Sequence, residues 1–404
     1  MVSEITAITD GSVTSPEGFI AGATYAGIRA YAPDKVDLGI LFSKLPTTAA
    51  GTYTTNKVLS PSVTVTKESV GSGASRGVIV NSGCANCAVG DQGYKDAQEM
   101  ALLAAKVFGV DSQQMAVSST GIIGVELPMG LIRNSVGKIE ASHDGGHHFA
   151  RSILTTDTVT KEIAVSFISN DTVVTLGGCA KGSGMIHPNM ATMLAYITTD
   201  AKVHPEFLQD ALTEVVDASF NMIDIDGDTS TNDTVLLLAN GASGVTVTKG
   251  TPDGETFTAA LLEICTYLAR EMVKDGEGAT KLIEVTVQGA DSLKDARRAA
   301  RAIASSILVK TAIHGNDPNW GRIMMALGKS GAELVEKNIA LYINDICIME
   351  GGLPIPVFRE SLIASMQGTE IRILANLNLG SDTAIAWGCN MSEEFVTFNS
   401  AYTT

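Results

Sequence analysis

The stretch Lys181-Gly-Ser-Gly-Met-Ile-His-Pro-Asn-Met-Ala-Thr192-Met-Leu constrains the fold of this chain more than any other. Gly182, Gly184 and Pro188 make a conformationally demanding loop, which delivers Thr192 to the front of the apolar run Met193-Leu-Ala-Tyr-Ile197. That run reads as a buried strand. A strand that opens on Thr after a constrained loop is where a self-processing enzyme presents an N-terminal nucleophile. Cutting the Ala191–Thr192 bond would give Thr192 a free α-amine beside its own hydroxyl, and that amine can act as the general base. Spacing alone leaves a plainer alternative open, because many Gly-rich loops simply enter a strand and Thr is a common β-former.

The rest of the chain alternates short β-rich runs with helical spacing. Strands are expected at Val36–Ser43, Gly77–Asn81, Ile163–Ile168, Thr192–Thr198, Thr234–Leu238, Ile283–Val287 and Ile339–Ile348. Helices are expected at Asp96–Phe108, His204–Phe220, Glu255–Val273 and Leu293–Thr311. The alternation lacks a clean βαβ rhythm and points to an α/β (α+β) protein of mixed sheets covered by helices. With 404 residues, 45% hydrophobic and 18% charged, the chain can bury a large core and excludes disorder. A net charge of −16 argues against nucleic acid as a partner, so any anionic substrate needs a local cation. No run has the length of a transmembrane helix and the opening residues do not resemble a signal peptide, so the expectation is a cytoplasmic protein without membrane partners. The six scattered cysteines are then expected reduced.

The run KGSGMIHPNMATML resembles the cleavage-site signature of the glutamate N-acetyltransferase family, also called ornithine acetyltransferase. VTSPEGF at Val13–Phe19, SSTGIIG at Ser118–Gly124, TTDT at Thr155–Thr158, DGEGATK at Asp275–Lys281, HGNDPNWGRI at His314–Ile323 and the terminal NSAYTT resemble further family blocks, in the family order. The resemblance implies a layered α-β-β-α core over residues 1–290, with the cleavage site at 191/192, and a smaller C-terminal α/β domain over 291–404. It implies chains 1–191 and 192–404 that stay together, as a heterotetramer of two of each. The implied activity is transfer of acetyl from N2-acetylornithine to glutamate, in arginine biosynthesis, by a ping-pong cycle through acetyl-Thr192. No dissociable cofactor is implied, although some members also take acetyl-CoA as a substrate; no residue here separates the two types.

By the same resemblance Ala191 and Thr192 flank the cut, and Thr192 is the nucleophile. Thr120 and Gly121 supply the oxyanion hole, and Thr155, Lys181, Glu277, Asn399 and Thr404 join Thr192 in binding substrate. Read without it, Ser118–Gly124 is a small-residue turn, Lys181 a surface charge, and Asp275–Gly278 a helix stop with exposed acids. The His314–Arg322 segment is read as a rigid hydrogen-bonded turn that supports the site. Three apparent metal motifs are discounted, and no metal is expected. Cys84-Ala-Asn-Cys87 lacks a second ligand pair. Asp224-Ile-Asp-Gly-Asp228 has its Gly too early and no closing Glu for a calcium loop, so it reads as a tight acidic turn. His143–His148 reads as a loop closing a helix. Two rival functions use the same chain: an N-terminal-nucleophile amidohydrolase or peptidase in which water resolves the acyl-Thr192, and a silent small-molecule binder that stays uncut.

Overall fold

Runs rich in Val, Ile, Leu and Thr build two sheets that face each other. The computed structural model describes residues 3–29, 35–73, 75–187 and 193–401. One sheet has six strands in the order Thr6–Ala7, Lys161–Ser169, Thr172–Lys181, Leu194–Thr199, Thr234–Ala239 and Thr48–Tyr53. Among the described residues its only parallel pair is Leu194–Thr199 with Thr234–Ala239. The other sheet has four strands, Phe19–Thr24, Leu38–Ser43, Gly77–Cys84 and Met115–Ile122. Between the sheets lie Phe19, Leu41, Val78, Val80, Leu194, Tyr196, Leu236 and Leu238, with Phe149 edge-on to Tyr196 at 5.2 Å. Helices Pro61–Gly71 and Gly90–Phe108 cover the outer face of the four-stranded sheet. Helices Pro205–Ala218 and Pro252–Lys274 cover the six-stranded one, giving the expected α-β-β-α layering.

A seven-stranded sheet follows, in the order Ile223–Asp224, Asp382–Cys389, Leu282–Ala290, Glu370–Asn376, Ala340–Ile343, Ile346–Glu350 and Leu353–Pro354. Helix Leu293–Ala304 packs on it through Ala296, Ala299, Ala300 and Ile303. The boundary placed at 290/291 falls at the end of Leu282–Ala290, a strand whose partners Glu370–Asn376 and Asp382–Cys389 both lie in this sheet.

Several expected elements are revised. The single strand expected at Ile339–Ile348 is a hairpin, because Asn344 and Asp345 adopt φ of +46° and +68° and turn the chain back. The long helix expected at Leu293–Thr311 breaks at Ser305–Ser306 into Leu293–Ala304 and Ile307–His314. Serines favour caps over helix interiors, and the break turns Lys310 inward to a buried ion pair with Asp224 at 2.7 Å. Ser118–Gly124 is no free turn, since Thr120 and Gly121 end the strand Met115–Ile122. His143–His148 opens a helix, Gly146–Ser152, instead of closing one. The strand expected from Thr192 runs over Leu194–Thr199. Ala191, Thr192 and Thr404 lie outside the described residues. All six cysteines are free.

Candidate active site

Strand Thr172–Lys181, inside the six-stranded sheet, ends by burying Lys181, which is 2% exposed. A buried ammonium needs partners to offset its lost hydration. Lys181 Nζ donates to Thr155 Oγ1 at 2.7 Å and reaches Thr120 Oγ1 at 3.5 Å, with Asp157 Oδ2 at 3.9 Å. Burial, with Lys161 nearby, lowers the Lys181 pKa, while Asp157, Glu277 and Asp233 pull the other way. Lys181 therefore joins the last residues of one sheet to Thr120 of the facing sheet and to the loop that follows helix Gly146–Ser152.

Thr120 is buried, and its own O–H has no acceptor among the described residues. Gly121 beside it holds φ of +131°, and a Cβ there would sit 2.3 Å from the Gly83 carbonyl carbon. Only glycine fits that conformation and that approach. A hydroxyl proton without an acceptor, next to a backbone forced into an unusual direction, is what a donor pair for an oxyanion requires.

Glu277 lies in the turn after helix Pro252–Lys274. Its N–H donates to Ser183 O at 2.8 Å, and its carboxylate stands 2.6 Å from where a Cβ on Gly184 would be. Asn399, on helix Glu393–Ala401, donates to Glu277 Oε2 at 2.9 Å. The Thr156 and Ser183 hydroxyls, 2.6 Å apart, tie the TTDT block to the loop after Lys181. Of the residues expected in the site, Thr120, Gly121, Thr155 and Lys181 thus converge directly, while Glu277 and Asn399 join them through Ser183 and Gly184.

Two carboxylates were not anticipated. Asp157 accepts from Lys161 Nζ at 2.7 Å and from the Gly182 N–H at 2.7 Å. Lys161 also pairs with Asp275 at 2.6 Å, so Lys181, Asp157, Lys161 and Asp275 form an alternating buried chain of charge. Burial alone would raise the Asp157 pKa, but Lys181 and Lys161 outweigh it and hold it at about 2. The i,i+4 spacing of Asp157 and Lys161 was a visible signal. Asp233 is fully buried and accepts from the Met193 N–H at 2.9 Å. Nothing in its surroundings in the sequence, Ser-Thr-Asn-Asp-Thr, distinguishes it from a polar turn.

The Asp224–Asp228 turn holds Met185, Ile186 and His187, inside the Lys181–Leu194 signature. Asp226 accepts from the Ile186 N–H at 3.0 Å and the Met185 N–H, and His187 Nδ1 lies 2.8 Å from Asp224 Oδ1. Among the described residues no group of three or more His, Cys, Asp or Glu is arranged to hold a metal. His314 bridges Glu393 at 3.0 Å and Asn390 at 3.0 Å, so the segment it opens braces the start of the helix that carries Asn399. A cavity of about 550 Å³ opens beside Thr155 and Asp157, with Arg29, Lys35 and Arg151 in its wall. In a protein of net charge −16 this concentrates cations where an anionic substrate would approach.

The sequence profile of the ArgJ family matches residues 20–404. The chain is 47% identical over 405 aligned residues to an arginine biosynthesis bifunctional protein ArgJ of Dehalococcoides mccartyi, covering 100% of both. It is 45% identical to that of Symbiobacterium thermophilum, covering 98% of this chain and 99% of the relative. The crystal structure of the argJ protein of Bacillus halodurans aligns with a TM-score of 0.50 at 40% identity, covering 51% of this chain and 98% of that one. On the profile match and the end-to-end identity, this chain belongs to the ArgJ family.

Proposed function

We propose that this protein transfers acetyl from N2-acetylornithine to glutamate, in arginine biosynthesis, through an acetyl ester on Thr192. The observation that carries the reading is the convergence of Lys181, Thr155 and Thr120 where the cleavage-signature loop begins. The relatives named for arginine biosynthesis match this chain from end to end. A solved relative whose whole chain corresponds to half of this one is what a protein split into two chains would give.

In the first half-reaction the Thr192 oxygen attacks the acetyl carbonyl and its proton passes to the Thr192 α-amine. The oxyanion takes hydrogen bonds from the Thr120 hydroxyl and the Gly121 N–H. The carbon–nitrogen bond breaks, the departing ornithine amine takes the proton, and acetyl stays on Thr192. The glutamate amine then attacks the ester and the Thr192 oxygen recovers its proton. Lys181 and Thr155 hold substrate carboxylate, and Glu277 with Asn399 and Thr404 holds the substrate ammonium. No dissociable cofactor takes part; acetyl-CoA is the second acetyl donor that we attach to the relatives' description as bifunctional. We place the protein in the cytoplasm, as a heterotetramer of chains 1–191 and 192–404. Among the described residues no helix is long and apolar enough to cross a membrane.

Intact mass spectrometry before and after incubation with N2-acetylornithine tests this. The expected result is two fragments split before Thr192, with one acetyl mass on the C-terminal fragment that glutamate removes. Loss of that acetyl to water at the same rate without glutamate would establish the hydrolase instead. An uncut, unlabelled chain in an active preparation would refute the self-processed nucleophile.

A further inference from the structure

The Thr155–Thr158 block commits each of its side chains to another part of the site. Thr155 Oγ1 accepts from Lys181 Nζ at 2.7 Å, and the Thr156 hydroxyl meets that of Ser183 at 2.6 Å. Asp157 accepts from the Thr155 N–H at 3.2 Å, the Gly182 N–H at 2.7 Å and Lys161 Nζ at 2.7 Å. Thr158 donates to Asp275 through its N–H, at 3.0 Å, and through its hydroxyl. Lys161 spans the two acids. Its ammonium donates to Asp157 Oδ1, to Asp275 Oδ2 at 2.6 Å and to Val159 O at 3.2 Å, which uses all three of its donors. Asp275 stands two residues before Glu277, in the turn tied to Ser183 O by the Glu277 N–H at 2.8 Å. The buried row of charge thus runs from the Lys181–Thr155 pair at one end to the Glu277 turn at the other. Buried ion pairs add little net stability over apolar groups of the same shape. Folding energy therefore does not account for a lysine locked between two carboxylates here.

The chemistry of the proposed donor supplies a reason. N2-acetylornithine carries its acetyl on the α-nitrogen, so its one ammonium lies at the far end of the side chain from its carboxylate. With Lys181 and Thr155 on the carboxylate and Glu277 on the ammonium, the separation of these protein groups measures the length of the donor. We propose that Asp157, Lys161 and Asp275 are positioning residues, a strut that fixes this separation and so selects the ornithine side chain over homologues longer or shorter by a methylene. The proposal rests on the substrate and the binding roles proposed above.

Asp275→Asn is the informative variant, because Asn keeps the volume and an oxygen for the Thr158 N–H. Lys161 keeps its pair with Asp157, so the change leaves no buried charge alone. Melting temperature, kcat and KM are measured for wild type and variant with N2-acetylornithine and with N2-acetyllysine, which is one methylene longer. A single methylene changes kcat/KM by about 10–200-fold in a fitted pocket. The expected result is a folded variant in which the kcat/KM preference for N2-acetylornithine falls by about tenfold or more, chiefly through KM. A merely structural role would weaken both donors alike, so an unchanged preference in a folded variant would overturn the proposal, whatever the absolute rates. Wild type without a preference for N2-acetylornithine would overturn it as well. Should Asp275→Asn fail to fold, the double variant Lys161→Met with Asp275→Asn, which removes the ion pair as a unit, is read in the same way. Wild type that takes no acetyl from N2-acetylornithine at all would remove the proposed function and the strut with it, an outcome seen before any variant is compared.

Discussion

Thr120 is the residue whose chemistry can be isolated most cleanly. Its side chain is buried beside Gly121, but among the described residues its hydroxyl makes only a long contact with Lys181 Nζ, at 3.5 Å, so little folding energy depends on the oxygen. Thr120→Ala is expected to lower kcat by about 10²–10³-fold, the loss for one oxyanion donor, with a melting temperature close to wild type. Steady-state kinetics alongside a thermal melt checks both parts, and near-normal kcat would remove Thr120 from the oxyanion hole. Asp226 offers a test by pH. Burial raises its pKa to about 6, although it accepts three backbone N–H bonds. A carboxyl whose folded pKa is raised favours the folded state most below its unfolded pKa of about 4, and that contribution is lost as pH rises through 6. The stability of wild type minus that of Asp226→Asn should therefore fall by up to about 3 kcal/mol between pH 4 and pH 7. Urea unfolding of both proteins across that range measures the difference, and a flat difference would contradict the raised pKa.

Helix Glu393–Ala401 has no buried residue. It is tied down by Ser392 Oγ to Gly278 O at 2.7 Å, His314 to Glu393, and Asn399 to Glu277. An element held by polar contacts around the Glu277 carboxylate, proposed to bind substrate, contributes little to the core. Truncation after Ser392 should shift the melting temperature by only about 1 °C, the equivalent of about 1 kcal/mol in a protein of this size. KM for the amino-acid substrates should rise by about tenfold or more, as for a lost charged hydrogen bond; unchanged kinetics would free the terminus from the site. At this scale the sequence was informative wherever local pattern and tertiary demand agreed. Gly77–Cys84 and Thr234–Ala239 are fully buried strands whose apolar runs announce them. The hairpin at Asn344–Asp345 was legible in its turn residues but was overridden by the continuous apolar run on either side. Strand Thr172–Lys181 was missed because Gly177 and Gly178 interrupt its pattern; they are small because Ser12 O and the Ile264 side chain press against them. Thr120 and Lys181 were marked by their sequence blocks and Asp157 by its spacing from Lys161, whereas Asp233 acts through Met193, 40 residues away, which no local pattern reports.

At the scale of the whole molecule, the strand order bears on whether the proposed cut at 191/192 would release the two parts. In the six-stranded sheet, Leu194–Thr199 and Thr234–Ala239 lie C-terminal to position 191. They are flanked on one side by Thr172–Lys181 and on the other by Thr48–Tyr53, both from the N-terminal part. Two complete hydrogen-bonded ladders, Leu176–Lys181 with Leu194–Thr199 and Thr48–Tyr53 with Thr234–Ala239, therefore cross between the fragments. The core under helices Pro205–Ala218 and Pro252–Lys274 also draws on both, with Val165, Phe167 and Leu176 packed among Leu212, Leu261 and Leu268. Separating the halves would expose this apolar surface and leave both flanks of the central strand pair unpaired, a cost comparable to global unfolding. Fragments 1–191 and 192–404 should thus co-elute on gel filtration at any dilution that allows detection. They should part only in denaturant, at the same midpoint as the loss of secondary structure. Analytical ultracentrifugation combined with circular dichroism across a urea series distinguishes the cases, and release of a folded half below that midpoint would show that the two fragments form separable domains.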